Sequence, residues 1–290
     1  MSIRAVTALL VHLPVSLLFA QTAPGSGVER NIPYVPGGGH KQQLDLSVPA
    51  RKGFPTVLFV HGGSLNTGDR TDAPYPQVCE SFRTVGVGCA AMSYRLFPAV
   101  RWPEPARDVA AAFAWLKRSI ASRGGDAARL FLFGHSSGCL LATLVAADQR
   151  YLKERGLSSA EVSRVISMGC RLNDALDTTG VPPERVKKYF ETDPYESMFG
   201  SLEVRNAAVP LRHVGSHMPP VLVLIAETEQ YQPPILADAT AFAAAARKTG
   251  ADVEVVVLKD RRHMSAIEKM VSPDDPTPLR ILEFVRRTPR

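Results

Sequence analysis

The pentapeptide Gly134-His135-Ser136-Ser137-Gly138 constrains this chain more than any other stretch. It follows directly on a short apolar run at residues 129–133 and opens an Ala/Leu-rich run over 137–148. The first run has strand length, and the second has helix length. A G-x-S-x-G sequence between strand and helix describes a sharp turn that holds its central serine in strained geometry above a sheet. Flanking residues without side chains keep such a turn free of clashes. The turn also brings the helix N-terminus, with its unpaired N–H groups, under any negative charge that develops at the serine. Ser136 is therefore the candidate nucleophile, and the Ser137 N–H a candidate oxyanion donor. His135 reads as a structural neighbour that faces elsewhere.

The rest of the chain supplies a sheet for this turn to stand on. Residues 43–48 alternate, 49–55 form a turn, and 56–60 and 87–94 are apolar runs of buried-strand type. A helix with Val109, Ala110, Phe113, Ala114 and Leu116 on one face follows over 106–120 and ends before Gly124-Gly125. Strands are predicted at 164–168, 221–226 and 253–258, with helices at 235–248 and from 267 or 278 to 287. Short apolar runs alternating with helices indicate an α/β fold, a mainly parallel sheet covered on both faces. Residues 171–217 break the alternation. They are Pro-rich and irregular, with one candidate helix at 183–190, and a stretch that long reads as a lid or substrate-facing insertion.

The first twenty residues stand apart. Arg4 is followed by an uncharged apolar stretch from Ala5 to Ala20 and then by small or polar residues, the pattern of a cleaved export signal. An uncleaved lipophilic anchor is the alternative. The expected organisation is a signal peptide over 1–20, a flexible segment over 21–33 and one folded domain over 34–290. Localisation is accordingly expected to be secreted or periplasmic. The formal charge of +6 falls to +5 without Arg4, and the basic residues are scattered rather than interleaved with aromatics. A nucleic-acid surface is therefore not expected. Cys79, Cys89, Cys139 and Cys170 form no CxxC pair and have no histidine at ligand spacing, so neither zinc nor another metal is expected. Export would permit one disulfide, whereas the apolar surroundings of Cys89 and Cys139 suit buried free thiols.

His61-Gly62-Gly63 follows the strand at 56–60, where glycines allow a backbone N–H to approach a substrate oxygen, so Gly62 and Gly63 join Ser137 as oxyanion candidates. His61 reads as a residue that holds this loop. With Ser93-Tyr94-Arg95-Leu96, Pro98, Asp108 and Trp115-Leu116 before the serine turn, the ordered set over residues 40–270 resembles the bacterial carboxylesterases related to hormone-sensitive lipase and kynurenine formamidase. It departs from them at Ser64 and Leu65, where many members have a third glycine or an aromatic pair, and at Cys139, where glycine is common. The resemblance implies an α/β-hydrolase fold, a small-molecule acyl ester as substrate, no cofactor, and a structural role for Asp108 in supporting the active-site loops.

An order of serine, acid, histidine requires a base beyond the last strands, and His263 lies there. A neutral imidazole at that place can accept the serine proton and return it to a leaving group. The acid falls to Glu229 or Glu227 in the loop after residues 221–226, with Asp174 as a third candidate. The resemblance favours Glu229, since the family's acid commonly stands three residues after the small residue that ends this strand. The expected activity is ester hydrolysis through an acyl-enzyme. An arylformamidase or other amide hydrolase using the same residues, and a catalytically silent binding protein of the same fold, are the alternatives. Oligomeric state is not legible in the sequence.

Overall fold

A computed structural model describes residues 27–229, 235–272 and 274–287. The signal-peptide expectation for residues 1–20 lies outside the described residues. An eight-stranded sheet organises the chain, with strands β1 (Gly27–Pro33), β2 (Gln43–Val48), β3 (Phe54–Val60), β4 (Gly88–Met92), β5 (Gly125–His135), β6 (Arg164–Met168), β7 (Val221–Ala226) and β8 (Val253–Leu258). The spatial order is β1-β2-β4-β3-β5-β6-β7-β8. Strands β1 and β2 run antiparallel to their neighbours, and from β4 onward every pairing is parallel.

Burial on both faces explains why the centres of the inner strands are apolar on both sides. In β3, Leu58 and Val60 join one core cluster while Val57 and Phe59 join the other. In β5, Leu130 and Leu132 face the first and Phe131 and Phe133 the second. This is the period-two alternation of a strand read against two helical layers instead of one.

The helices that form those layers are α1 (Tyr75–Thr84), α2 (Glu104–Ser119), α3 (Ser137–Ala147), α4 (Gln149–Lys153), α5 (Pro183–Thr192), α6 (Leu202–Ala207), α7 (Ile235–Lys248), α8 (His263–Glu268) and α9 (Pro276–Arg286). Helix α2 carries Pro105 in its first turn, where a missing N–H costs nothing, and Lys117 and Arg118 in its last, beside the negative end of the helix dipole. Helix α3 is buried at every position from Gly138 to Ala147, so its sequence is apolar all round. It packs on β5 and β6 on one side and on α2 and α4 on the other. None of the described helices is long and apolar enough to cross a membrane.

Three expectations need correction. Residues 27–33, expected within a flexible segment, form edge strand β1, held by pairing with β2 and by Arg123, whose Nε donates to both oxygens of Glu29 at 2.9 and 3.0 Å. Helix α1 was not expected at all. The cysteines are not free thiols: Cys79 is bonded to Cys89 and Cys139 to Cys170, with Cα separations of 5.1 and 5.8 Å. Burial in apolar surroundings does not distinguish a thiol from a disulfide, since both are apolar groups. The partners become visible only when α1 is laid on β4, and α3 beside the loop that follows β6.

Candidate active site

All parallel strands end at the same edge of the sheet, so the loops that follow β3, β5, β6, β7 and β8 converge there, where ligands bind in open α/β sheets. Ser136 stands between β5 and α3 with φ 55° and ψ −125°. That left-handed conformation is costly for a residue with a side chain. Its N–H donates to the Met168 carbonyl at 2.9 Å, and its own carbonyl accepts from Cys139 N at 2.9 Å, so the strain is held from both sides. The two flanking glycines are obligatory. A Cβ at Gly134 would lie 2.0 Å from the Gly138 oxygen, and one at Gly138 would lie 2.1 Å from the Val60 oxygen.

The loop after β3 comes up against this turn. A Cβ at Gly62 would sit 3.0 Å from the Ser136 Cβ. His61 Nδ1–H donates to the Gly62 carbonyl at 2.6 Å, and its ring stacks on Tyr94 with centroids 4.3 Å apart. Tyr94 in turn donates its hydroxyl to the His61 carbonyl at 3.0 Å. The Gly62 N–H donates to the Tyr75 hydroxyl at 3.3 Å, a contact between residues that no local pattern links.

Two further residues fix the surroundings of this loop. Arg70, 1% exposed, reaches Asp45 Oδ1 at 3.0 Å, Ser93 Oγ at 3.1 Å, the His40 carbonyl at 3.1 Å, Asn31 Oδ1 at 2.6 Å and Gln43 Oε1 at 3.0 Å, tying the loop to β1, β2 and the segment after β4. Asp108 accepts from the Arg95 N–H at 2.9 Å, from Arg95 Nε at 2.8 Å and from Gln42 Nε2 at 2.9 Å, the supporting position that the resemblance implies.

His263 opens α8 just beyond β8, and its Nδ1–H donates to Glu229 Oε1. The second oxygen of Glu229 accepts the Ala226 N–H at 3.0 Å. Burial pushes the Glu229 carboxyl up, but the bonds from His263 and Ala226 outweigh it, and the group titrates below the usual carboxylate range. Glu227 lies at the other side of the same short turn, where it accepts from the Asp260 N–H at 2.9 Å and from Lys259 Nζ at 3.0 Å. Asp174 is likewise apart from His263 and pairs with Arg205 at 2.6 Å. Among the three acid candidates, Glu229 is the one the fold brings to the histidine.

His135 does not face elsewhere as expected. Its ring lies 4.9 Å from that of His263, and its Nε2–H donates to the His263 carbonyl at 3.2 Å. The odd position of a strand's last residue turns it under the base loop instead of outward. Gly169 completes the floor, because a Cβ there would meet His263 Nδ1 at 3.2 Å and Glu229 Oε1 at 3.4 Å. Ser136 and Gly169 line one open cavity of about 250 Å³, walled on its far side by residues from the 171–217 insertion.

The two buried histidines make stability depend on pH. Burial lowers His61 to about 4, partly offset by the Gly62 carbonyl. Burial, together with the charge of His263, lowers His135 to about 4. The folded state therefore keeps both neutral where an unfolded chain, titrating near 6.5, takes up protons. The resulting stability is complete above about pH 6.5 and is lost as pH falls toward 4. Unfolding in urea at pH 7 and pH 5 should show a loss on the order of 2 kcal/mol per histidine. Equal unfolding free energies at the two pH values would overturn this account.

A family model described as alpha/beta hydrolase fold matches residues 57–267. Esterase LipQ of Mycobacterium tuberculosis is 30% identical over 233 residues, covering 76% of this chain and 53% of that protein. Esterase LipC of the same organism is 30% identical over 221 residues, covering 70% and 54%. The chain thus spans about half the length of these curated relatives. A solved structure, the truncated form of a carbohydrate esterase from gut microbiota, superposes with a TM-score of 0.73 over 90% of this chain and 96% of that one. At 14% identity this likeness shows the fold alone.

Proposed function

The chain belongs to the α/β-hydrolase fold family, and from that premise we propose that it is a serine esterase that cleaves carboxylic esters through an acyl-enzyme. The observation that carries this reading is the pairing of His263 with Glu229 at the same sheet edge as a serine held at a strained strand-to-helix turn. In the proposed reaction Ser136 Oγ bonds to the ester carbonyl carbon while its proton passes to His263 Nε2. Glu229, bonded to Nδ1–H, fixes the imidazole orientation and stabilises the imidazolium. The N–H groups of Gly63 and Ser137 receive the oxyanion, and that of Gly62 joins them when Tyr75 yields it. The carbon–oxygen bond to the alcohol then breaks, and the alcohol leaves with the proton from His263. Water, deprotonated by the same base, releases the acid and restores Ser136.

The test is direct. Purified protein should react with a fluorophosphonate probe and should hydrolyse short p-nitrophenyl esters faster than aryl formamides. Preferential cleavage of the formamides would replace the ester reading with the amide one, and a protein inert to both probe and substrates would be a silent module of this fold.

Export to an oxidising compartment is part of the same proposal. The apolar stretch from Ala5 to Ala20 supports it, and so do two disulfides among the described residues, because such bonds persist outside the reducing cytosol. Protein recovered from the envelope or medium of a secreting bacterial host should begin near Gln21. An intact Met1 on soluble cytoplasmic protein would count against it.

A further inference from the structure

The base has far to reach. Strand β8, from which His263 follows, lies three places from β5 in the sheet, roughly 14 Å at the usual strand spacing, so a loop must carry the imidazole back toward Ser136. That loop is fastened mainly to the turn after β7. The Asp260 N–H donates to Glu227 at 2.9 Å, the Thr228 N–H to the Arg261 carbonyl at 3.2 Å, and His263 Nδ1–H to Glu229. Arg261 adds a bond to Asp275 at the start of α9. None of these reaches the nucleophile. The His263 side chain is 41% exposed and opens a helix of only six residues, so packing alone does not fix it.

His135 makes the missing link. Among the described residues, the bond from its Nε2–H to the His263 carbonyl is the one hydrogen bond that residues 260–268 make with the strand or helix of the nucleophile. His135 ends β5, in register with Met168 of β6, and is the immediate neighbour of Ser136. A carbonyl only accepts, so Nε2 carries the proton and Nδ1 is a bare lone pair. That nitrogen is buried without a partner, under the loop where a Cβ at Gly62 would stand 3.4 Å from it. Burying an imidazole with one nitrogen unpaired is costly, and an apolar side chain would fill the same space without that cost. Packing therefore does not account for a histidine here, whereas the bond to the base does.

We propose that His135 is a positioning residue, which sets the reach of His263 toward Ser136 by holding the backbone of the base from the residue next to the nucleophile. The inference rests on the esterase reading and deepens it. His135 touches no reacting atom and acts through His263. Proton transfer from the serine needs the imidazole within hydrogen-bond reach, and a misplacement of about 1 Å can cost on the order of a hundredfold in rate.

His135→Phe keeps a ring, removes the donor and also removes the unpaired nitrogen; His135→Leu makes the same test if the larger ring does not fold. Either should lower kcat on p-nitrophenyl acetate by about 10- to 100-fold while KM changes less than about threefold. Labelling of Ser136 by a fluorophosphonate should slow in proportion. His135→Gln, whose amide nitrogen stands as many bonds from Cβ as Nε2 does, should bring kcat back to within about fivefold of native. Proton NMR adds a readout that needs no turnover. The low-field resonance of His263 Nδ1–H, identified by its absence from His263→Gln, should broaden or vanish in the Phe and Leu variants and return in the Gln variant. Folded Phe and Leu variants that keep more than about a third of native kcat overturn the proposal, and so does a Gln variant as slow as they are. A native protein inert to both ester and probe is instead a failure of the esterase reading. The resonance then decides this inference by itself: lost with Phe or Leu and regained with Gln, it supports the hold of His135 on His263, and unchanged in all three it overturns it.

Discussion

Replacing Ser136 by alanine should lower ester turnover by on the order of 10³-fold or more while leaving the protein folded, because removal of a triad nucleophile leaves only the contribution of the oxyanion donors and of binding. The substitution deletes one hydroxyl that makes no hydrogen bond among the described residues. Alanine bears the same left-handed backbone strain as serine at φ 55°, so the balance between Ser136 and its two glycines is unchanged. The melting temperature should move by only a few degrees. The check is kcat on a p-nitrophenyl ester together with a thermal melt. Retention of more than about a tenth of native turnover by a folded variant would remove Ser136 from the mechanism.

The second large effect separates two glutamates that stand two residues apart. Glu229 uses both oxygens as acceptors, Oε1 from His263 and Oε2 from the Ala226 N–H. A glutamine has a single acceptor oxygen, so Glu229→Gln must face either the imidazole N–H or the backbone N–H with an NH₂ group. Either choice disturbs the base: one favours the wrong tautomer, and the other unfastens the loop. The loss of charge also removes the partner of the imidazolium. Turnover should fall by about 10² to 10⁴-fold. Glu227→Gln should cost less than about fivefold, since its carboxylate only joins the Asp260 N–H and Lys259 at a half-exposed edge, where an ion pair contributes little. Steady-state rates of the two variants decide it, and a larger loss at Glu227 would refute the assignment.

The sequence disclosed the strands that are buried on both faces, since residues 57–60, 130–133 and 221–226 must be apolar throughout to sit between two helical layers. It disclosed the serine turn for a related reason: Gly134 and Gly138 have no substitute where backbone atoms pass so close. Strand β1 left no such mark. Its GVERNIP sequence lies at an exposed edge with one partner, and nothing obliges an edge strand to be apolar. Helix α1 does leave a mark, with Tyr75, Val78, Cys79 and Phe82 on one buried face at helical spacing, but Pro74 and Pro76 flank its start and blur it. Glu229 and Glu227 could not be separated by counting residues because a tight helical turn carries the one inward and leaves the other at the surface. The placement of His135 under His263, the hold of Arg70 on the glycine loop and the pairing of the cysteines join residues far apart in the chain, and no local pattern encodes them.

The Cys139–Cys170 bond joins two parts of the molecule that are constrained in different ways. Cys139 belongs to the turn and helix that present Ser136, where backbone contacts near 2 Å from absent side chains leave almost no freedom to vary. Cys170 stands at the threshold of the long insertion, which buries Leu172, Phe190, Met198 and Phe199 and leaves residues 183–189 half-buried or exposed. A covalent fastening, added to a core that Leu140, Leu141 and Leu144 share with Leu172, Phe190, Met198 and Phe199, therefore sets the spacing between Ser136 and the wall that faces it. Under the proposed mechanism, exposed side chains along residues 171–217 could be exchanged without moving Ser136, much as a jig holds interchangeable workpieces against one fixed tool.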